Sequence, residues 1–349
     1  MSLCVHEHHV LAGLHQPLAH PRSDAAERSR HQRRHGVQVL LAALFPLLIS
    51  PKPLGAAESA HPQRLQEIVD TAAADALKTF AEKKLQTNQL AISLIDLRDP
   101  QHPPQAHYRG DAPIYPASVV KLFYLAAAHR WMEDGKLKDT EELRRAMRDM
   151  IIDSSNDATH YVVDSLTGTT AGPELPDSEM KEWMLKRNAV NHYFTSLGYM
   201  QINVNQKPWG DGPYGRERVF VGKNYENRNA LTTEATARLL TEIVQGRAIS
   251  AARSAEMLKL LQRDPFKKKI ESAEPDQNYD FTGAAPLPAG TKLWSKAGWT
   301  STVRHDAACL ELPTGARFVL VTFTTGHSNE REIIPAIAWK IMDGLGQPK

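Results

Sequence analysis

Ser118 and Lys121 stand three residues apart in Tyr115-Pro116-Ala117-Ser118-Val119-Val120-Lys121, at the head of the apolar run Leu122-Phe123-Tyr124-Leu125-Ala126-Ala127-Ala128. That spacing puts both side chains on one face of a helix. Pro116 bars an earlier helical start, so Ser118 falls in the first turn, where free backbone N–H groups and the helix dipole favour an oxyanion. A lysine one turn on, in apolar surroundings, can lose its proton and serve as a base. The chemistry such a pair can do is nucleophilic attack on an acyl group. Alone, the spacing is equally that of a capping serine and a solvated lysine. Two further segments give it partners: Asp153-Ser154-Ser155-Asn156-Asp157-Ala158-Thr159, after an apolar helix pattern, and the strand-like Leu293-Trp294-Ser295-Lys296-Ala297-Gly298-Trp299-Thr300.

In this order the three segments resemble the S-x-x-K, S-D-N and K-T-G triplet of class A β-lactamases and penicillin-binding proteins. Asn229 to Leu240 is similar to the threonine-capped helix that follows the Ω-loop in that family, and the resemblance spans about residues 65 to 345. It implies that Ser118 attacks an acyl carbonyl and that Lys121 takes its proton, directly or through water. Ser154 would pass a proton to the leaving nitrogen, and Asn156 would hydrogen-bond the substrate's side-chain amide. Lys296 would lend positive charge near Ser154 and a substrate carboxylate. Backbone N–H groups of Ser118 and Trp299 would hold the oxyanion, with Gly298 and Thr300 beside the substrate and the Trp299 ring as a cleft wall. Arg304, past the turn, could bind the carboxylate bidentately.

The chain also departs from the family. Ser155 replaces the central aspartate of S-D-N, and Ala297 the hydroxyl residue of K-T-G. Ser154 follows Ser118 by 36 residues, a short gap, and Lys296 follows Ser154 by 142, a long one. No clean segment supplies the loop glutamate that performs deacylation. Glu217, in Gly215-Arg216-Glu217-Arg218, is the nearest candidate, with a surface charge cluster as the alternative. His160 and His192 read as packing or surface residues. His305-Asp306 suggests a dyad, but adjacent strand residues point to opposite faces, which favours structural roles for both.

The elements that must position these groups follow from periodicity. Residues 63–85 repeat apolar residues at helical spacing, Leu90–Leu97 alternates as a strand, and a Pro-rich turn leads to a partner near Ala106–Arg109. Helices are expected near 140–152, 156–166, 178–197 (capped by Ser178), 233–246 and 250–262. Strands return at 292–298, 303–312 and 316–325, and Ser328 begins a last helix stopped by Gly344. The order gives an α+β fold: an antiparallel sheet flanked by terminal helices (63–112 and 290–345) with an inserted all-helical lobe (113–289). The site would lie in the cleft between the lobes.

The remaining features bound the function. With 42 Lys+Arg against 40 Asp+Glu, the charge balance gives no reason to expect a nucleic-acid partner. Cys4 and Cys309 are too far apart in sequence to suggest a disulfide framework. Residues 1–36 are rich in His and Arg and read as a disordered or mis-started N-terminus, the metal tract His6-Glu7-His8-His9 being the weaker reading. Arg33-Arg34-His35, the apolar stretch Val37–Ile49 and Gly55-Ala56-Ala57 have the order of a secretory signal (37–57). The alternative is an uncleaved anchor; both place the domain in the periplasm or outside the cell. The expectation is an exported, monomeric serine hydrolase that takes a β-lactam or cell-wall peptide. No metal or organic cofactor and, after signal cleavage, no membrane association are implied. A D,D-peptidase or esterase, and a binder without turnover, are the alternatives.

Overall fold

Alternation in Leu90–Asp96 and in the C-terminal strands sends successive side chains to two different cores. The computed structural model describes residues 61–209, 212–270 and 275–346. All belong to one compact unit, Pro53–Lys349. The readings made for residues 1–57, including the signal segment, lie outside the described residues.

The sheet is formed by β1 (Leu90–Asp96), β2 (Gln105–Tyr108), β3 (Gln262–Arg263), β4 (Lys292–Trp299), β5 (Val303–Glu311) and β6 (Arg317–Thr325), in the order β2-β1-β6-β5-β4-β3. Every pairing is antiparallel. One face buries Ile92, Leu94, Leu310 and Leu320 under α1 (Pro62–Thr79) and α10 (Ile333–Gly346). The other buries Ala307, Cys309, Val321 and Phe323 against α2 (Lys121–Glu133) and α8 (Thr233–Val244). The fold is thus α+β with an antiparallel sheet, as expected.

Around α2 stand α3 (Glu141–Ile151), α4 (Asn156–Thr167), α6 (Ala189–Ser196) and α9 (Ala251–Leu261), while α5 (Asp177–Arg187) adjoins α6 and α7 (Gly215–Val221) packs on α5. Thr140, Ser155, Thr232 and Ser250 cap their helices through side-chain oxygens that accept from the third residue on. Four boundaries differ from expectation. The helix expected over 178–197 breaks at Asn188, whose side chain donates to Met184 O at 3.0 Å. Ser178 is not its cap: α5 starts one residue earlier, behind Pro176. Ser328 donates to Ser301 O at 2.6 Å instead of capping α10. Gly344 lies inside α10, where a Cβ would come within 2.9 Å of Ile68 on α1, so it permits close helix packing and does not stop the helix.

Among the described residues no helix is long and apolar enough to cross a membrane, and no group of three His, Cys, Asp or Glu could hold a metal ion.

Candidate active site

Ser118 sits in a single 3₁₀ turn, Ala117–Val120, that runs directly into α2. Ala117 has φ 46°, and Ser154, across the site, has φ 56°. Left-handed backbone at non-glycine residues costs on the order of 1–3 kcal/mol each, so the surrounding structure must hold both in place. Part of that hold is visible before Ser118. His305 Nε2 donates to Tyr115 O at 2.9 Å, while its Nδ1 accepts from Thr324 N at 3.1 Å. Burial pushes this imidazole down to about 4, so it is neutral at physiological pH. It fastens the turn bearing the serine to β5 and β6. Asp306 lies on the other face of the sheet, with Thr282 N donating to its Oδ2 at 3.0 Å; the two form no dyad.

Lys121 is fully buried, with Ser154 O at 2.6 Å, Asn156 Oδ1 at 2.9 Å and Ser154 Oγ at 3.3 Å from its Nζ. Burial brings it down to about 7. Lys296 comes from β4 and is equally buried. Its Nζ donates to Ala297 O at 2.7 Å, Gln277 Oε1 at 2.8 Å and Ser154 Oγ at 3.0 Å. Burial holds Lys296 well below the ordinary lysine range, reinforced by the nearby cations Lys121 and Arg263 and opposed by Asp306. The two lysines therefore share one hydroxyl. Each keeps two carbonyl-type acceptors of its own, and the Ser154 proton can point to whichever amine is neutral.

The third part is the edge of β4. Among the described residues this edge has no strand neighbour beyond Trp294, where the pairing with β3 ends. Arg263 Nη2 donates to Ser295 O at 2.9 Å, and Ala297 N donates to Gln277 Oε1 at 3.0 Å. Odd-numbered residues thus turn their backbone groups outward, and the Trp299 N–H shares that direction. Gly298 brings this edge against the serine turn: a Cβ there would lie 2.7 Å from Pro116 O and 2.8 Å from both Ser118 N and Val119 N. The serine turn and the edge of β4 are thus in direct backbone contact at Gly298.

Of the residues named from the sequence, Lys121, Ser154, Asn156 and Lys296 meet through hydrogen bonds, and Gly298 lies against the backbone of the Ser118 turn. The Asn156 carbonyl is taken by Lys121, so what it can offer a substrate is its N–H donors. Four expectations need correction. Arg304 pairs with Trp299 across β4 and β5, which places it on the sheet face opposite Lys296 and Gly298. There it lies over the Phe281 ring and donates to Asp280 O at 2.7 Å, away from any carboxylate site. The Trp299 ring packs on Phe281 on that same face and is no cleft wall; only its backbone meets the edge. Thr300 Oγ accepts from Thr302 N at 3.2 Å and Val303 N at 3.3 Å, so it tightens the β4–β5 turn. Glu217 is fully buried and bidentate to Arg187, at 2.8 and 3.0 Å, with Lys207 at 3.8 Å. The short α7 turns it inward beside Phe220 and Val221, which pack on Trp183 and Met180.

Sequence reading missed Gln277 and Arg263. Neither belongs to a motif, and each acts only because the chain returns to the β4 edge. His160 is the neighbour of a loop: its ring contacts Pro208 O.

A family model described as "Beta-lactamase enzyme family" matches residues 72–345. Among solved structures, a β-lactamase from Sphaerobacter thermophilus is 20% identical with a TM-score of 0.58, covering 81% of this chain and 99% of its own. A β-lactamase from Xanthomonas campestris is 16% identical with a TM-score of 0.56, at 81% and 99% coverage. PBP-A, solved as an acyl-enzyme complex with penicillin G, is 17% identical with a TM-score of 0.55, at 81% and 94% coverage. No curated protein matches. At these identities the solved structures speak for the fold. The family match covers more than half of the sequence and takes in the serine turn, the Ser154 loop and the β4 edge; the chain belongs to the beta-lactamase enzyme family.

Proposed function

We propose that this hydrolase works through an acyl-enzyme on Ser118, in the manner of class A β-lactamases, and opens an amide or ester bond. The observation that carries this reading is the shared hydroxyl: Ser154 Oγ lies 3.3 Å from Lys121 Nζ and 3.0 Å from Lys296 Nζ, beside a serine turn backed by Gly298. Neutral Lys121 takes the Ser118 proton as Oγ bonds to the acyl carbon, and the carbonyl oxygen becomes an oxyanion at the Ser118 and Trp299 N–H groups. As the C–N or C–O bond breaks, the proton on Lys121 returns through Ser154 Oγ to the leaving nitrogen or oxygen. Water then attacks the ester, releasing the acid and restoring Ser118.

A fluorescent penicillin is expected to label the wild type and not Ser118→Ala. Label retained by folded Ser118→Ala ends the acyl-enzyme reading. Export through residues 37–57 belongs to the same proposal, and N-terminal sequencing of protein recovered from the periplasm decides it; an intact Met1 terminus in the cytosol counts against it.

A further inference from the structure

Gln277 lies in the segment between β3 and β4, outside every motif, yet its buried amide makes four hydrogen bonds at the site. Oε1 accepts from Lys296 Nζ at 2.8 Å and from Ala297 N at 3.0 Å. Nε2 donates to Ile152 O at 2.9 Å and Ile151 O at 3.1 Å. These last are carbonyls at the C-terminal end of α3, which the helix itself leaves without partners. The chain runs from them straight into Ser154. One side chain thus ties the element carrying Ser154 to the strand carrying Lys296. Arg263 makes a parallel tie, from Nη2 to Ile151 O at 3.1 Å and Ser295 O at 2.9 Å.

We propose that Gln277 is a positioning residue of the active site: its amide holds the Lys296 ammonium against Ser154 and locks the Ser154 loop to the edge of β4. The partners fix the amide's orientation, oxygen toward two N–H donors and nitrogen toward two carbonyls. Lys296 has Lys121 facing it from α2 and Arg263 from β3, while its anion, Asp306, lies across the strand on the other face. A neutral acceptor at 277 supports the charged form of Lys296 without clamping it as a carboxylate would. The edge at Ala297 is also filled by this side chain. A substrate backbone can therefore pair with β4 only from Trp299 onward.

The effect on catalysis rests on the acyl-enzyme reading, so the test has two readouts on the full chain. The first is the titration of Lys296 by NMR in lysine-labelled protein, assigned with Lys296→Met. The second is the rate of labelling by fluorescent penicillin. In Gln277→Ala, Lys296 is expected to titrate at lower pH than in the wild type, and labelling to slow on the order of 10- to 100-fold through loss of a hydrogen bond to a charged group. Gln277→Met, which keeps the side chain's bulk, should behave the same way; it replaces the alanine variant if that one does not fold. Lys296 titrating as in the wild type, or labelling at the wild-type rate, overturns the proposal. If the wild type itself takes no label, the acyl-enzyme reading fails and the Lys296 titration alone decides the role of Gln277.

Discussion

Two lysines meet at one hydroxyl, with no carboxylate among their hydrogen-bond partners in the described residues, and that fact governs what each can do. Lys121 would titrate near 10.4 in the unfolded chain and is brought to about 7 by burial. Its folded value is depressed, so the unfolded state binds the extra proton between these limits. Stability on this account is full above the unfolded value and falls as pH drops from about 10 to about 7, by up to about 1.4 kcal/mol per pH unit. Lys121→Met removes that term. The stability difference between variant and wild type is therefore expected to move in the variant's favour as pH falls across this window. Denaturant melts at pH 6, 8 and 10 measure it, and a difference that stays flat with pH contradicts the buried, readily deprotonated lysine. Where Lys121 is the base, the labelling rate should also rise through about pH 7.

At the scale of elements, the site is a junction between a 3₁₀ turn and a strand edge, and Gly298 is the contact that lets them meet. Any side chain at 298 meets backbone, at 2.7–2.8 Å, and not a yielding side chain. Strand or turn must then retreat. In Gly298→Ala the Trp299 N–H should leave the oxyanion position, and losing one such donor costs about 10²–10³ in rate. Penicillin labelling is expected to slow by about that factor while circular dichroism keeps the wild-type helix and strand content. Wild-type labelling in this variant would place the oxyanion donors elsewhere. The His305 ring anchors the other side of the same junction and, being neutral, does so without bringing a charge to the serine.

At the scale of the whole molecule, the excursion between Gln206 and Asn229 closes at a neck and turns Glu217 inward. Gln206 and Asn229 bond reciprocally: Asn229 N donates to Gln206 Oε1 at 2.9 Å, and Asn229 Nδ2 to Gln206 O at 2.8 Å. Within the excursion Lys207 pairs with Asp164 on α4 at 2.6 Å, and Arg187 holds Glu217. Both carboxylates are committed to buried cations, and breaking such a pair costs about 3–5 kcal/mol. With both oxygens held by Arg187, Glu217 is expected not to activate a deacylating water. Nitrocefin is expected to give a burst stoichiometric with enzyme and then slow turnover, which favours a hydrolase whose natural acyl group is not a β-lactam. Glu217→Gln should lower the melting temperature and not cut the steady rate selectively. Fast steady turnover without a burst would mean that another group deacylates efficiently.

What the sequence by itself determined is what local spacing determines. The three-residue step from Ser118 to Lys121 puts both on one turn. The threonine cap before the helix at 233 and two-residue alternation in the strands are equally local, the motif order implied the family, and the order of elements gave the α+β sheet. Only the tertiary structure decided which charged residues face the cleft. Arg304 stands close to the K-A-G segment in sequence, but the pleat and register of β4 against β5 turn it to the far face. Glu217 is the loop's nearest candidate base by sequence, yet Arg187, 30 residues away, claims both of its oxygens. Gln277 stood in no motif, and it matters because the loop before β4 folds back onto the end of α3, 125 residues earlier. Periodicity sees neighbours along the chain. Burial of a charge depends on partners brought in from elsewhere, and those partners here decide which ionisable groups remain available for chemistry.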